Sequence, residues 1–159
     1  MARKPASSVR RRGEMDRVFL DANVLFSAAY RTSSALELLW ATTADIALLC
    51  SPYAIEEARR NLEEQDARER LENLVAGLAL VPDVATGDLP ASVTLPEKDI
   101  PILLAAIAAG ATHLLTGDRA HFGAYFGRRI ARVLIQRPGD YLAALRGPSA
   151  AVGPRTLKP

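Results

Sequence analysis

The stretch Val18-Phe19-Leu20-Asp21-Ala22-Asn23-Val24-Leu25 begins with three consecutive apolar residues and then breaks at an acid. Successive side chains of a strand point to opposite faces, so an unbroken apolar run reads as a strand buried on both sides, here Val18 to Leu20. Similar runs recur at Ile46-Ala47-Leu48-Leu49-Cys50, Leu78-Ala79-Leu80-Val81, His113-Leu114-Leu115-Thr116 and Val133-Leu134-Ile135. Helical spacing fills most of the gaps. One helix starts at the capping residue Ser33 and runs to Trp40. Ser51-Pro52 opens a second through Ile55, Ala58 and Leu62, and a third covers about Ala67 to Val75, ending near Gly77. After a loop from Pro82 to Pro96, helix resumes from Asp99 to Ala109 with Gly110 as its stop, and a last short helix starts at Pro138. The order β-α-β-α-α-β-α-β-β-α predicts an α/β fold: one open parallel sheet with helices on both faces.

A chain of 159 residues suits one domain with a single core. Residues 1–16 and 148–159 are rich in Pro, Ser, Gly and Arg without apolar periodicity and read as flexible tails, leaving a domain over 17–147. The basic start lacks the apolar segment of a secretory signal. The longest apolar stretch, Ile100 to Leu115, is interrupted by Pro101, Gly110 and His113 and is too short to span a bilayer. These features point to a cytoplasmic protein with no membrane partner. Cys50 is the lone cysteine and reads as a buried structural thiol. Eight of the 20 basic residues fall in 1–17 and 155–158, so residues 18–154 carry 12 basic and 16 acidic side chains, a net of −4. Basic residues then return after Asp118, at Arg119, Arg128, Arg129, Arg132, Arg137 and Arg146, as would suit a polyanionic partner.

Open parallel sheets gather ligands at the carboxyl ends of their strands. Asp21 follows the first strand and Asp118 follows the strand at 113–116 after one glycine. Asp99 starts the helix leading into that strand, and Glu57 lies about one turn into the helix after the second strand. Helices return antiparallel to their strands, so all four acids can meet at one edge. Acids held together repel unless a cation lies between them, and hard oxygen ligands suit Mg²⁺ or Mn²⁺. Such a site can activate water and neutralise charge on a phosphodiester. A Walker glycine loop, a zinc-spaced Cys/His set and a serine nucleophile elbow are all missing from the sequence.

Four segments in order carry a family resemblance. Val18 to Leu25 resembles the first-strand motif of PIN domains, including the Asp and the Asn two positions later. Ser51 to Leu62 is similar to the family's acidic helix, with Glu57 in the register of its acid. Lys98 to Ile107 and Leu114 to Phe122 match the remaining two segments. The ending Val133 to Leu142 also resembles the family's last strand and helix, so the likeness spans roughly residues 17–146. It implies a Mg²⁺- or Mn²⁺-dependent ribonuclease, in bacteria often the VapC-like toxin of a toxin–antitoxin pair. Its partners would be RNA, a cognate antitoxin and, for a homodimer, a second copy of the chain. By this resemblance Asp21, Glu57, Asp99 and Asp118 are the catalytic acids, the three aspartates being the metal ligands. Asn23 and Thr116 support them, and Arg119, Arg128 and Arg129 are candidates for binding RNA. Many members carry a further acid two residues after the Thr-Gly-Asp aspartate; here that position is Ala120, which bears on a second metal.

Two other readings compete. A PIN-like module could bind RNA or protein without cutting, but such a module has no need of three aspartates together. A phosphatase of the haloacid-dehalogenase type wants a second Asp two residues after the first, where this chain has Asn23. His113 and His121, the only histidines, could in principle serve a metal-free ribonuclease, yet their spacing does not specify that chemistry.

Overall fold

The computed structural model describes residues 15–31, 34–41 and 44–145. The elements run β1 (Asp16–Leu20), α1 (Ala22–Tyr30), α2 (Ser34–Ala41), β2 (Ile46–Cys50), α3 (Pro52–Asn61), α4 (Gln65–Val75) and β3 (Ala79–Leu80). A 3₁₀ turn (Glu97–Asp99) then leads into α5 (Ile100–Ala108), followed by β4 (His113–Leu115), α6 (Arg119–Phe122), β5 (Arg129–Ile130) and β6 (Val133–Gln136). Residues 138–145 are helical. The strands form one sheet in the order β3-β2-β1-β4-β6-β5, parallel throughout except for the β5–β6 hairpin. Val18, Phe19 and Leu20 are all buried, as are Leu48, Leu49 and Cys50, so both faces of the central strands are covered. Among the described residues, no helix is long and apolar enough to cross a membrane.

The strand order carries the chain outward from β1 through β2 to β3, then back across to β4 on the other side of β1. The switch point therefore lies between β1 and β4, where open α/β sheets leave a crevice at their carboxyl edge. The ladder runs right up to this edge. Asp21 N–H donates to the Leu115 carbonyl at 3.0 Å, and Thr116 N–H to that of Gln136 at 3.0 Å. Asp21 and Thr116 are thereby fixed by backbone pairing at the ends of neighbouring strands.

Helix α5 is buried nearly all round, through Ile102, Leu103, Leu104, Ala105 and Ala106, as expected of a helix within a core. It ends where the sequence predicts. Gly110 has φ +71°, Ala111 N–H reaches the Ala106 carbonyl and Gly110 N–H that of Ile107, both at 3.0 Å. This is a Schellman closure, which a side chain at Gly110 would strain.

Four departures from expectation concern local signals. Asp16, read with the tail, is the first residue of β1; it is buried and accepts the Tyr141 hydroxyl at 2.6 Å. Helices α1 and α6 and the short strand β5 were not expected. The remaining tail, 1–14, the cap at Ser33 and the segment 148–159 lie outside the described residues.

Candidate active site

Asp21 ends β1 and caps α1. Its Oδ1 accepts from Ala22 N–H at 2.6 Å, and its Oδ2 accepts from the Thr116 hydroxyl at 2.8 Å and from Asn23 Nδ2 at 3.1 Å. Asn23 Nδ2 also reaches Thr116 Oγ1 at 3.2 Å, while its carbonyl accepts from Gly117 N–H at 2.9 Å. Thr116 Oγ1 in turn accepts from Asp118 N–H at 3.1 Å. The Thr116 hydroxyl thus uses its one donor and both acceptor positions to tie the end of β1 to the turn after β4. Burial pushes the Asp21 carboxyl up to about 6. The Thr116 and Ala22 hydrogen bonds oppose that rise, and the Asp99 and Asp118 charges add to it.

Asp118 caps α6, its Oδ1 accepting from His121 N–H at 3.1 Å. Asp99 sits at the junction of the 3₁₀ turn and α5, only 6% exposed. Its carboxyl is also raised, chiefly by burial and further by the Asp118 charge, with Lys98 and His121 opposing. The turn holding Asp99 is tied to the acidic helix by Tyr53 of α3, whose hydroxyl donates to the Lys98 carbonyl at 2.8 Å.

These residues line one cleft of about 580 Å³ at the switch point. Asp21, Asn23, Glu57, Asp99 and Asp118 all face it, while Thr116 lies behind Asp21. Helix register decides between the adjacent glutamates. Ala54, Ile55 and Ala58 are the buried face of α3; Glu57 lines the cleft, and Glu56 is exposed and paired with Arg59 at 2.7 Å. The three arginines are placed differently. Arg119, Arg128 and Arg129 are exposed and none lines the cleft; Arg129 lies on β5, two strands beyond β4. The cation that does line it is Lys98, which sequence reasoning passed over together with Tyr53, while His121 was weighed only as one of two acid–base imidazoles. Lys98 stands beside Asp99 in the sequence, and that adjacency was the available signal. His121 had none.

The donor set suits a divalent cation. Asp99 Oδ2 is buried and lies 2.9 Å from His121 Nδ1 but makes no aligned hydrogen bond among the described residues, although the residue faces an open cleft. An ionised carboxylate oxygen left so is costly unless a cation meets it. Asp99, Asp118 and His121 each offer one ligand atom, all within 4.8 Å of one another.

Comparison with known proteins agrees with the geometry. The PIN domain matches residues 17–120, which run from Arg17 in β1 past Asp118 and so hold all four acids. A chain in the crystal structure of VapBC2 from Rickettsia felis, bound to a DNA fragment from their promoter, shares the fold. The two superpose with a TM-score of 0.57 at 16% identity, over 76% of this chain and 98% of that one. No curated protein matches the sequence. A domain match over most of the chain, with the acids gathered at the switch point of its sheet, makes this protein a member of the PIN-domain family.

Proposed function

We propose that this PIN-family nuclease is a metal-dependent endoribonuclease and the VapC-like toxin of a cytoplasmic toxin–antitoxin pair. The observation that carries the reading is the convergence of Asp21, Glu57, Asp99 and Asp118 on one open cleft. The fold shared with a chain of the VapBC2 complex supports a cognate antitoxin as partner.

Asp21, Asp99 and Asp118 are the residues that would hold Mg²⁺ or Mn²⁺, with Asn23 and Thr116 orienting Asp21. When bound, the cation supplies Lewis acidity toward water and the phosphodiester. Glu57, half-buried on the facing helix, is placed to accept the proton of the attacking water. The water oxygen adds to phosphorus, the bond from phosphorus to the leaving ribose oxygen breaks, and solvent protonates that oxygen. Lys98, on the cleft wall, would balance phosphate charge. Arg119, Arg128 and Arg129, exposed outside the cleft, would meet further phosphates of the RNA.

The test is incubation of the purified chain with single-stranded RNA, hairpin RNA and the matching DNA strands, with Mg²⁺ or Mn²⁺ present. RNA should be cut internally and DNA left intact. RNA retained on the protein but never cut would indicate a silent binding module.

A further inference from the structure

We infer that His121 is a direct ligand of the cation site, sharing one ion with Asp99 and Asp118. The centre is then a mixed oxygen–nitrogen set that takes Mn²⁺ in preference to Mg²⁺. This rests on the proposal that the acidic cleft holds a divalent cation, and adds to it both a ligand and a selectivity.

His121 Nδ1 lies 2.9 Å from Asp99 Oδ2 and 2.8 Å from Asp118 Oδ2. Those distances would suit hydrogen bonds, yet Nδ1 and Asp99 Oδ2 have no hydrogen-bond partner among the described residues. The two oxygens therefore sit beside the ring nitrogen's axis, not on it. Neighbouring vertices of a coordination octahedron stand in this relation. With ligand bonds of about 2.1 Å, adjacent ligand atoms are roughly 3 Å apart and each lies roughly 45° off the other's bond axis. Both the short contacts and the missing hydrogen bonds follow from three ligands arranged around one centre.

The local sequence builds this arrangement. Asp118 caps α6 through Oδ1, which turns Oδ2 toward the ring of His121, one helical turn on. Ala120 is exposed and has no ligating side chain, and the imidazole follows at the next position. Asp99 Oδ2 comes from a buried residue and makes no aligned hydrogen bond among the described residues. Imidazole nitrogen is a poor ligand for Mg²⁺ and a good one for first-row transition ions, so an oxygen–oxygen–nitrogen set favours Mn²⁺.

The chain contains only two histidines, which makes the test specific. His113 is buried in β4, its Nδ1 2.7 Å from Thr112 Oγ1 and its ring edge-on to Tyr141, outside the cleft. Electron spin-echo modulation of Mn²⁺ bound to the full chain, free of any histidine tag, should show ¹⁴N coupling of a directly bound imidazole. His121→Gln should abolish that coupling. Calorimetry should give the wild type at least about tenfold tighter binding of Mn²⁺ than of Mg²⁺, with His121→Gln losing at least about tenfold for Mn²⁺ and little for Mg²⁺. Bound Mn²⁺ that depends on Asp118 but shows no ¹⁴N coupling in the wild type would overturn the histidine assignment and leave the acidic cation site standing. Absence of Mn²⁺ binding altogether would overturn both. The wild-type spectrum decides the assignment even if the variant fails to fold.

Discussion

The Thr116 hydroxyl donates to Asp21 Oδ2 at 2.8 Å, joining two residues 95 positions apart at the ends of adjacent parallel strands. The same oxygen accepts from Asn23 and from the Asp118 backbone, so one hydroxyl sets the positions of both aspartates. The register Leu20↔Leu115 brings the two strand ends level, and the hydroxyl completes the link where the backbone ladder stops.

Thr116→Val keeps the shape and removes the hydroxyl. A hydrogen bond to a charged group contributes about 1.5–3 kcal/mol, so the variant should lose about 2 kcal/mol of stability by urea unfolding at pH 8. Thr116→Ser should recover most of that. Loss in Thr116→Ser with none in Thr116→Val would mean that the methyl group matters and the hydroxyl does not.

The raised carboxyl of Asp99 fixes the sign of a pH effect. A folded-state pKa above the unfolded value means the folded protein binds more protons, so stability falls as pH rises through the carboxyl range. In EDTA, Asp99→Asn should match the wild type near pH 4 and exceed it by on the order of 1 kcal/mol at pH 7. Adding Mn²⁺ should then stabilise the wild type more than the variant. Thermal melts in EDTA and in Mn²⁺ check both, and a variant that melts no higher in EDTA and responds fully to Mn²⁺ would place Asp99 outside the cation site.

Much of this was legible in the sequence because the central strands are buried on both faces and therefore read as unbroken apolar runs. Ile46–Cys50 is found as expected, and Val133–Gln136 is only one residue longer. Helix α1 escaped notice because Asp21 ends a strand and caps a helix at the same position. The residues after it, Ala-Asn-Val-Leu-Phe-Ser-Ala-Ala-Tyr, show little contrast between faces. The four acids were legible from topology, since strand ends and helix starts share an edge. The place of His121 beside Asp99 was not, because the two are 22 positions apart and meet only through the path of α5, β4 and the turn into α6.

Strand β5 was hidden by its turn. Ala131 and Arg132 join β5 to β6 with φ of +49° and +79°, the left-handed pair of a two-residue hairpin that ordinarily carries Asn-Gly. A non-glycine residue in that region costs about 1–2 kcal/mol. Replacing the pair, Ala131→Asn with Arg132→Gly, should raise stability by about 1 kcal/mol, read as a higher Tm. No gain would mean that the turn carries no strain.

Burial pushes the Cys50 thiol up to about 12, and its Sγ donates to the Leu20 carbonyl at 3.2 Å. The native protein at pH 8 should therefore resist a thiol reagent that labels it at once in 6 M urea. Rapid labelling of the native state would mean that the β1–β2 core opens readily.

The proposed activity is cleavage of RNA, through a divalent cation, by the carboxylates gathered at the β1–β4 switch point. It is tested most directly by the RNA cleavage rate of EDTA-stripped protein before and after Mn²⁺ is returned, for wild type, Asp21→Asn and Asp118→Asn in parallel. No cleavage is expected in EDTA, recovery in the wild type alone, and at least about a thousandfold deficit in each variant. Wild-type cleavage that proceeds equally in EDTA, or variants that cut as fast as the wild type, would contradict it.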